Sequence, residues 1–302
     1  MSVGGFQTDQ YQLLDFGAGR KLERFGAWII DRPSPPAEYV SRLAPELWQT
    51  ANLRFRRKDG LQGKWKLLKT DQQIDFGKNG EQFKSWSIGY HHHFRLQLNL
   101  SPVGHLGVFA EQADNWHWIM QQVQRLQQGQ QEPVKILNLF AYTGGSTLAA
   151  AAAGAHVTHI DSAENIVNRA RENAALSGFS ESPIRWIHED ARLFCERELK
   201  RGHQYQGVIL DPPSYGHGPK NQVWKIGKHL LPLLELCGAL TRKKRGFVLL
   251  TNHSPDFSTA DLEASFADAI FGSCGAGAHA SRMTLTAQTG HRLDAGCVVR
   301  FP

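Results

Sequence analysis

The sequence predicts an α/β protein: a doubly wound, mostly parallel sheet whose last strand runs antiparallel, preceded by a small β-rich domain. Three observations carry that prediction. From Glu111 onward, short aliphatic runs alternate with helix-length segments. Before Glu111 the apolar runs are short and broken by glycine, proline and charge. Finally, Val208-Ile209-Leu210-Asp211-Pro212-Pro213-Ser214-Tyr215-Gly216 reads as a buried strand stopped by two prolines. That places Asp211 and Tyr215 at the carboxyl edge of a sheet, where open α/β folds hold their ligands.

The elements follow in order, with a domain boundary between residues 1–110 and 111–302. In the first domain, 27–30, 53–57 and 64–68 read as strands, and 94–100 alternates strictly as a half-exposed strand does. Only 36–52 reads as a helix. A Trp- and Gln-rich helix over 114–128 is the link. Strands over 134–139, 157–161, 184–188, 207–211 and 247–251 then alternate with helices over 146–153, 163–177, 191–201, 223–240 and 260–271. Strands over 283–286 and 297–301 close the chain. Their link is too short for a crossover, so they should be antiparallel.

The composition is that of an ordinary globular protein with no uncharged apolar run long enough to span a bilayer. The amino terminus lacks a basic-then-apolar leader pattern, so a cytoplasmic location is expected. The cysteines Cys195, Cys237, Cys274 and Cys297 are widely spaced, which points to free thiols and to neither disulfides nor zinc. A formal charge of +6 and a pI near 9.2 favour an acidic partner such as nucleic acid.

The second informative segment is Asn138-Leu139-Phe140-Ala141-Tyr142-Thr143-Gly144-Gly145-Ser146-Thr147, a strand end, a paired-glycine loop and an alanine-rich helix start. Glycines admit a ligand close to the backbone, and the helix start offers free N–H groups. It is neither GxGxxG nor GxxxxGK[ST], so a pyrophosphate is not its natural ligand. Asp161 ends the next strand, where one carboxylate can accept from both hydroxyls of a ribose; a helix N-cap is the plainer alternative. Asp190 follows the third strand with the same two readings. Asn138, Asp161, Asp190 and Asp211 thus set a polar residue at each successive strand tip, which favours one shared site.

Together, NLFAYTGGSTLAAAAAGA, THIDSAENIVNRARENAALSG, IHEDA and VILDPPSYG resemble class I S-adenosylmethionine-dependent methyltransferases. They are most similar to bacterial large-subunit (23S) ribosomal RNA methyltransferases with a small β-rich domain before the catalytic one. The segments FGAWIIDRPSPPA and GHLGVFAEQ extend the resemblance over most of the chain. It implies a Rossmann-like seven-stranded sheet, S-adenosyl-L-methionine as cofactor and RNA as substrate. By the same resemblance, Asn138, Phe140, Tyr142, Gly144 and Gly145 wrap the methionine part. Asp161 binds the ribose, with Ser162 beside the adenine, and Asp190 faces the adenine amino group near Ala191. Asp211, Pro212, Pro213 and Tyr215 border the methyl group and its acceptor, while Glu111 and Gln112 lie across the cofactor pocket. Several members carry a further RNA-binding module, for which the stretch before Glu111 leaves no room. Either the β-rich domain contacts RNA or the substrate differs.

Methylation at carbon 5 of a pyrimidine requires a cysteine thiolate to add at carbon 6. In related enzymes it follows the fifth strand or the proline pair; here those places read Thr251-Asn252-His253-Ser254 and Asp211-Pro212-Pro213-Ser214. A nitrogen acceptor fits better, with Asp211 or the Pro212 carbonyl accepting from an amino group and Tyr215 packing on the base. Protein or small-molecule methylation, and cofactor-dependent RNA binding without turnover, are the alternatives. His91-His92-His93 is too compact for one metal ion and reads as an exposed strand edge, so no metal is expected. Arg54-Phe55-Arg56-Arg57-Lys58 with Lys64-Trp65-Lys66 and Lys69 either holds phosphates and stacks bases, or is a solvated strand pair with Phe55 and Trp65 in the core. The basic run 242–245 complements a helix carboxyl end.

Overall fold

In the computed structural model, which describes residues 5–58, 60, 62–68, 86–220, 222–254, 257–272 and 277–301, the broken apolar runs of the first part fold as short strands. β1 (Tyr11–Gly17), β2 (Arg20–Phe25), β3 (Trp28–Pro33), β4 (Leu53–Arg57) and β5 (Gly63–Leu67) form one sheet in sequence order. β6 (Ser87–Tyr90) and β7 (Phe94–Gln97) form a separate antiparallel pair. Within the sheet only β3 and β4 run parallel, so the chain must cross over between them.

That crossover is not the helix expected over 36–52. It holds two short 3-10 turns, Pro35–Ala37 and Pro45–Thr50. Prolines at 33, 35, 36 and 45 remove the amide donors that an α-helix of this length needs. The histidine run is not a strand edge either. His91, His92 and His93 make the turn between β6 and β7, with His91 at φ +47°. The alternation from residue 94 sustains its ladder only as far as Gln97.

Buried charge holds this sheet together. Glu23 accepts from Arg32 Nε at 2.5 Å and from the Tyr11 hydroxyl at 2.9 Å, with Lys21 Nζ at 3.1 Å. Asp31 pairs with Arg20 and, at 2.6 Å, with Arg54. The Asp31-Arg32 step thus anchors two ion clusters. Phe55 is buried against Trp65, their ring centroids 5.0 Å apart, and Trp65 Nε1 donates to the Ser101 carbonyl at 2.8 Å. Phe55 is therefore a core residue and is not presented for stacking on a base, while Trp65 is half-buried with its indole N–H tied to Ser101. Lys69 lies outside the described residues.

The second part is the doubly wound fold. Helix α1 (Ala113–Gln127) leads into β8 (Lys135–Leu139), α2 (Gly145–Ala152), β9 (His156–Asp161), α3 (Glu164–Leu176), β10 (Ile184–His188) and α4 (Ala191–Lys200). There follow β11 (Gly207–Leu210), the ribbon β12 (Tyr215–His217) and β13 (Val223–Lys225), α5 (Ile226–Thr241), β14 (Phe247–Asn252), α6 (Thr259–Phe271), β15 (His279–Thr286) and β16 (Arg292–Phe301). The large sheet has seven strands in the order β10-β9-β8-β11-β14-β16-β15. β8 to β11 and β14 are mutually parallel, and β16 runs antiparallel to β14, as expected. Complete burial of β11 and β14 explains why their sequences are unbroken aliphatic runs.

One helix differs from expectation. Residues 223–225 belong to β13 and not to the helix, because Val223 to Lys225 pair with His217 to Tyr215.

The chain divides into two compact units, Met1–Ala113 with Thr284–Ala295, and Asp114–Met283 with Gly296–Pro302. In the first, Ala287 and Leu293 from the tip of the β15–β16 hairpin pack with Leu13, Phe16 and Ala37. In the second, the strand order reverses between β8 and β11. That switch point opens a crevice at the carboxyl ends of the strands.

Candidate active site

The loop after β8 is forced into shape by its backbone. Phe140, Tyr142 and Gly144 all have positive φ, at +54°, +48° and +93°. For two aromatic residues this is an uncommon and strained conformation, of the kind found at functional sites. Asp161 at the tip of β9 holds the loop there. Its Oδ2 accepts from the Tyr142 N–H at 2.9 Å and its Oδ1 from the Ala163 N–H at 3.0 Å. The N-cap of α3 is Ala163, so Asp161 is no helix cap. Burial raises the Asp161 pKa, against the backbone donors that favour the charged form.

The paired glycines have separate reasons. At Gly144 the left-handed backbone starts α2, and an added Cβ would lie 3.2 Å from Ala170 Cβ. At Gly145 a Cβ would come within 2.5 Å of the Trp116 ring, so this glycine admits α1 against α2.

Beneath the loop, Asn138 is buried and its amide donates to Thr147 Oγ1 at 2.9 Å. Thr147 Oγ1 in turn lies 2.9 Å from His159 Nδ1. Burial, then the nearby charge of Arg171, holds the His159 pKa down to about 3, so the ring is neutral. Asn138 thus ties the tip of β8 to α2 and β9.

Phe140, Asp161, Ser162, Asp190 and Ala191 line one cavity at the switch point, with Ile160, Glu189, Pro213, Gly216, Gly218 and Trp224 among their neighbours. Asp190 is also a true N-cap, accepting from the Leu193 N–H at 3.0 Å, so its helix-cap reading holds in the fold while its side chain borders the cavity. The Phe140 and Trp224 rings pack against each other in the cavity wall, their centroids 4.9 Å apart. No lysine or arginine lines it among the described residues. Carboxylates and aromatic faces without cations suit an adenosine carrying positive charge, and do not suit nucleotide phosphates. The residues therefore fit S-adenosylmethionine.

The Asp-Pro-Pro loop follows β11. Asp211 Oδ1 accepts from Thr251 Oγ1 at 2.5 Å and lies 3.4 Å from His253 Nε2. Pro213 offers its carbonyl to Trp224 Nε1 at 2.6 Å, which pins the ribbon β12–β13 beside the cavity. Tyr215 is exposed, with its hydroxyl 3.2 Å from His217 Nε2. Thr251 and His253 come from the tip of β14, and sequence reasoning considered them only as places where a cysteine is missing. Their signal was position: β14 lies next to β11, so its tip must face Asp211.

Gln112 belongs to the first unit, buried in the turn Ala110–Gln112 beside Glu111. Cys195, Cys237 and Cys297 are buried, and a hydrogen bond to Cys237 together with burial pushes the Cys195 thiol pKa up. Cys274 lies outside the described residues. No cluster of three or more metal-ligating side chains occurs among the described residues. A larger cleft of about 280 Å³, lined by Lys135, His156, Arg185, Glu198, His203 and Tyr205, lies at the other end of the strands. The strained loop and the strand-tip acids are all at the carboxyl end, so the smaller cavity is the candidate site.

Comparison with known proteins agrees with this geometry. Residues 53–241 match the family model described as S-adenosylmethionine-dependent methyltransferase. A solved structure from Agrobacterium tumefaciens, described as a SAM-dependent methyltransferase, is 30% identical, covers 97% of this chain and 90% of its own, and superposes with a TM-score of 0.85. The ribosomal RNA large subunit methyltransferase K/L of Alteromonas mediterranea is 25% identical over 246 residues, which are 78% of this chain and 33% of that protein. The ribosomal RNA large subunit methyltransferase K of Neisseria meningitidis serogroup B is 25% identical over 216 residues, 70% of this chain and 54% of its own length. This chain therefore spans between a third and about half of those two relatives. With a family match across most of its length and the strand-tip site that the family's cofactor needs, the chain belongs to the S-adenosylmethionine-dependent methyltransferases.

Proposed function

We propose that this chain methylates a nitrogen of a base in RNA, with large-subunit ribosomal RNA as the substrate and the cytoplasm as the setting. The observation that carries the reading is Asp211, set at the tip of β11 between Thr251 and His253 and next to the cavity that suits the cofactor. Bound S-adenosylmethionine supplies an electrophilic methyl group on a sulfonium centre. The chain's own residues position and polarise the acceptor. Asp211 and the Pro212 carbonyl accept from the amino group and aim its lone pair, and Thr251 fixes the carboxylate by donating to it. Tyr215, exposed on the ribbon, packs on the base. As the new N–C bond forms, the methyl–sulfur bond of the bound cofactor would break to leave a neutral thioether. The nitrogen gives its surplus proton to the Asp211 carboxylate, which becomes a neutral acid 3.4 Å from His253 Nε2.

In the cofactor pocket, Asp161 takes the ribose hydroxyls and Ser162 lies beside the adenine. Asp190 faces the adenine amino group near Ala191. Phe140, Tyr142, Gly144 and Gly145 shape the methionine end, with Asn138 bracing them from below. The names of the relatives support an RNA substrate. The absence of cysteine at the tips of β11 and β14 supports nitrogen over carbon 5. The test is incubation with labelled cofactor and ribosomal RNA, then mass spectrometry of the nucleosides. A methylated amino or ring nitrogen is expected. A 5-methylpyrimidine would overturn the acceptor, and label found only in protein would overturn the substrate.

A further inference from the structure

The chain's net positive charge is matched by one short segment of the sequence. Between Leu53 and Lys69 there are seven Lys or Arg residues and one acid, a net +6 that equals the charge of the whole chain. All other residues together sum to zero. The structure arranges most of this charge on one face of a single strand pair. Alternate residues of a strand share a face, so Arg54 and Arg56 lie on the same side of β4, with Lys58 continuing that side just beyond it. On β5, Lys64 and Lys66 occupy the matching side, paired directly with Arg56 and Arg54.

Only Arg54 is neutralised there, by Asp31. Arg56, Lys58, Lys64 and Lys66 are exposed and make no salt bridge among the described residues. Like charges directly opposite each other in a ladder are destabilising. A strand pair that keeps Arg56 opposite Lys64, neither of them in a salt bridge among the described residues, gains from a polyanion lying across it. The opposite face carries Phe55 and Trp65, which pack on each other, with Phe55 buried and Trp65 half-buried. This side therefore offers charge at regular spacing and no stacking platform.

We infer that the β4–β5 face is a docking surface for the phosphate backbone of RNA, gripping the substrate without reading its bases. This rests on RNA being the substrate. It adds where the RNA is held, and it accounts for a strand pair whose like-charged partners do not help the fold. Phosphate contacts of this kind position a nucleic acid and make its affinity fall steeply with salt.

The test uses the full chain with the variant R56A/K58A/K64A/K66A and a charge-preserving variant R56K/K64R/K66R. Binding to a large-subunit ribosomal RNA fragment is followed between about 50 and 200 mM salt. Removal of four phosphate contacts should lower the slope of log affinity against log salt by roughly 3 and weaken binding by about 100-fold or more. The charge-preserving variant should bind like the parent. Binding of S-adenosylhomocysteine and kcat at saturating RNA should be unchanged in both, with KM for RNA raised only in the alanine variant. If the parent methylates RNA but the alanine variant keeps its affinity and slope, the surface is wrong and the function stands. A parent that neither binds nor methylates RNA overturns both. Binding of this face to phosphatidylserine vesicles with none to RNA would also overturn the inference.

Discussion

Asp161 and Asp211 are both carboxylates at strand tips, yet their surroundings assign them different work. Asp161 already accepts from two backbone amides, one of which fixes the strained loop of Phe140 and Tyr142. Asp161→Ala should therefore lose both the proposed ribose contact and the loop tether, and weaken S-adenosylhomocysteine binding about 100-fold by calorimetry. Asp211 is held by the Thr251 hydroxyl and stands beside His253. Asp211→Asn keeps the shape and removes the charge. Turnover should fall by roughly 100-fold or more, with S-adenosylhomocysteine affinity within about threefold of the parent. Both acids were legible from their position after an aliphatic run. The partners of Asp211 were not, because they arrive from a strand 40 residues further on.

At the scale of elements, the network from β8 through α2 to β9 and the ribbon after β11 make separate demands. Thr147 joins Asn138 to His159 in a buried layer. Thr147→Val keeps the volume but strands two polar groups, which costs about 2–3 kcal/mol in urea unfolding. The cavity at the strand tips measures about 40 Å³, well under the roughly 300 Å³ of a small-molecule site. Gly216, His217, Gly218 and Trp224 of the ribbon form one wall. Cofactor binding should therefore displace and then order the ribbon. Hydrogen exchange in residues 214–225 should slow on adding S-adenosylhomocysteine, while β8 and β14 stay unchanged. Of the ribbon, the sequence predicts residues 223–225 as the start of a helix over 223–240. Pairing of Val223 to Lys225 with the strand after Ser214 overrides that local preference.

For the whole molecule, the buried cluster around Glu23 sets the response to acid. Burial by itself would raise the Glu23 pKa, but Arg32 and Lys21 hold it to about 2, below its ordinary 4.5. A carboxylate depressed on folding stabilises fully above its unfolded pKa and loses that contribution as pH falls through the folded one. The loss should fall between about pH 5 and pH 2 and amount to about 3 kcal/mol. Glu23→Gln should flatten the dependence of melting temperature on pH in that window, and should destabilise at neutral pH because Arg32 is left buried without its charge partner.

The parallel sheet, its antiparallel closing strand and the acids at its strand tips were determined by the sequence alone. Each rests on a local fact: an apolar run long enough for a buried strand, a helix-length spacer, and a polar residue where the run stops. The choice between alternatives was made by tertiary structure. Only packing shows that Asp161 secures a loop and does not cap a helix, that Gly145 is small for the sake of Trp116, and that Phe55 and Trp65 turn away from the charged face they interleave in sequence. The physical reason is shared by all three. A residue's chemistry is written in the chain, but its partners are set by strand order and register, which bring together residues that local spacing leaves apart.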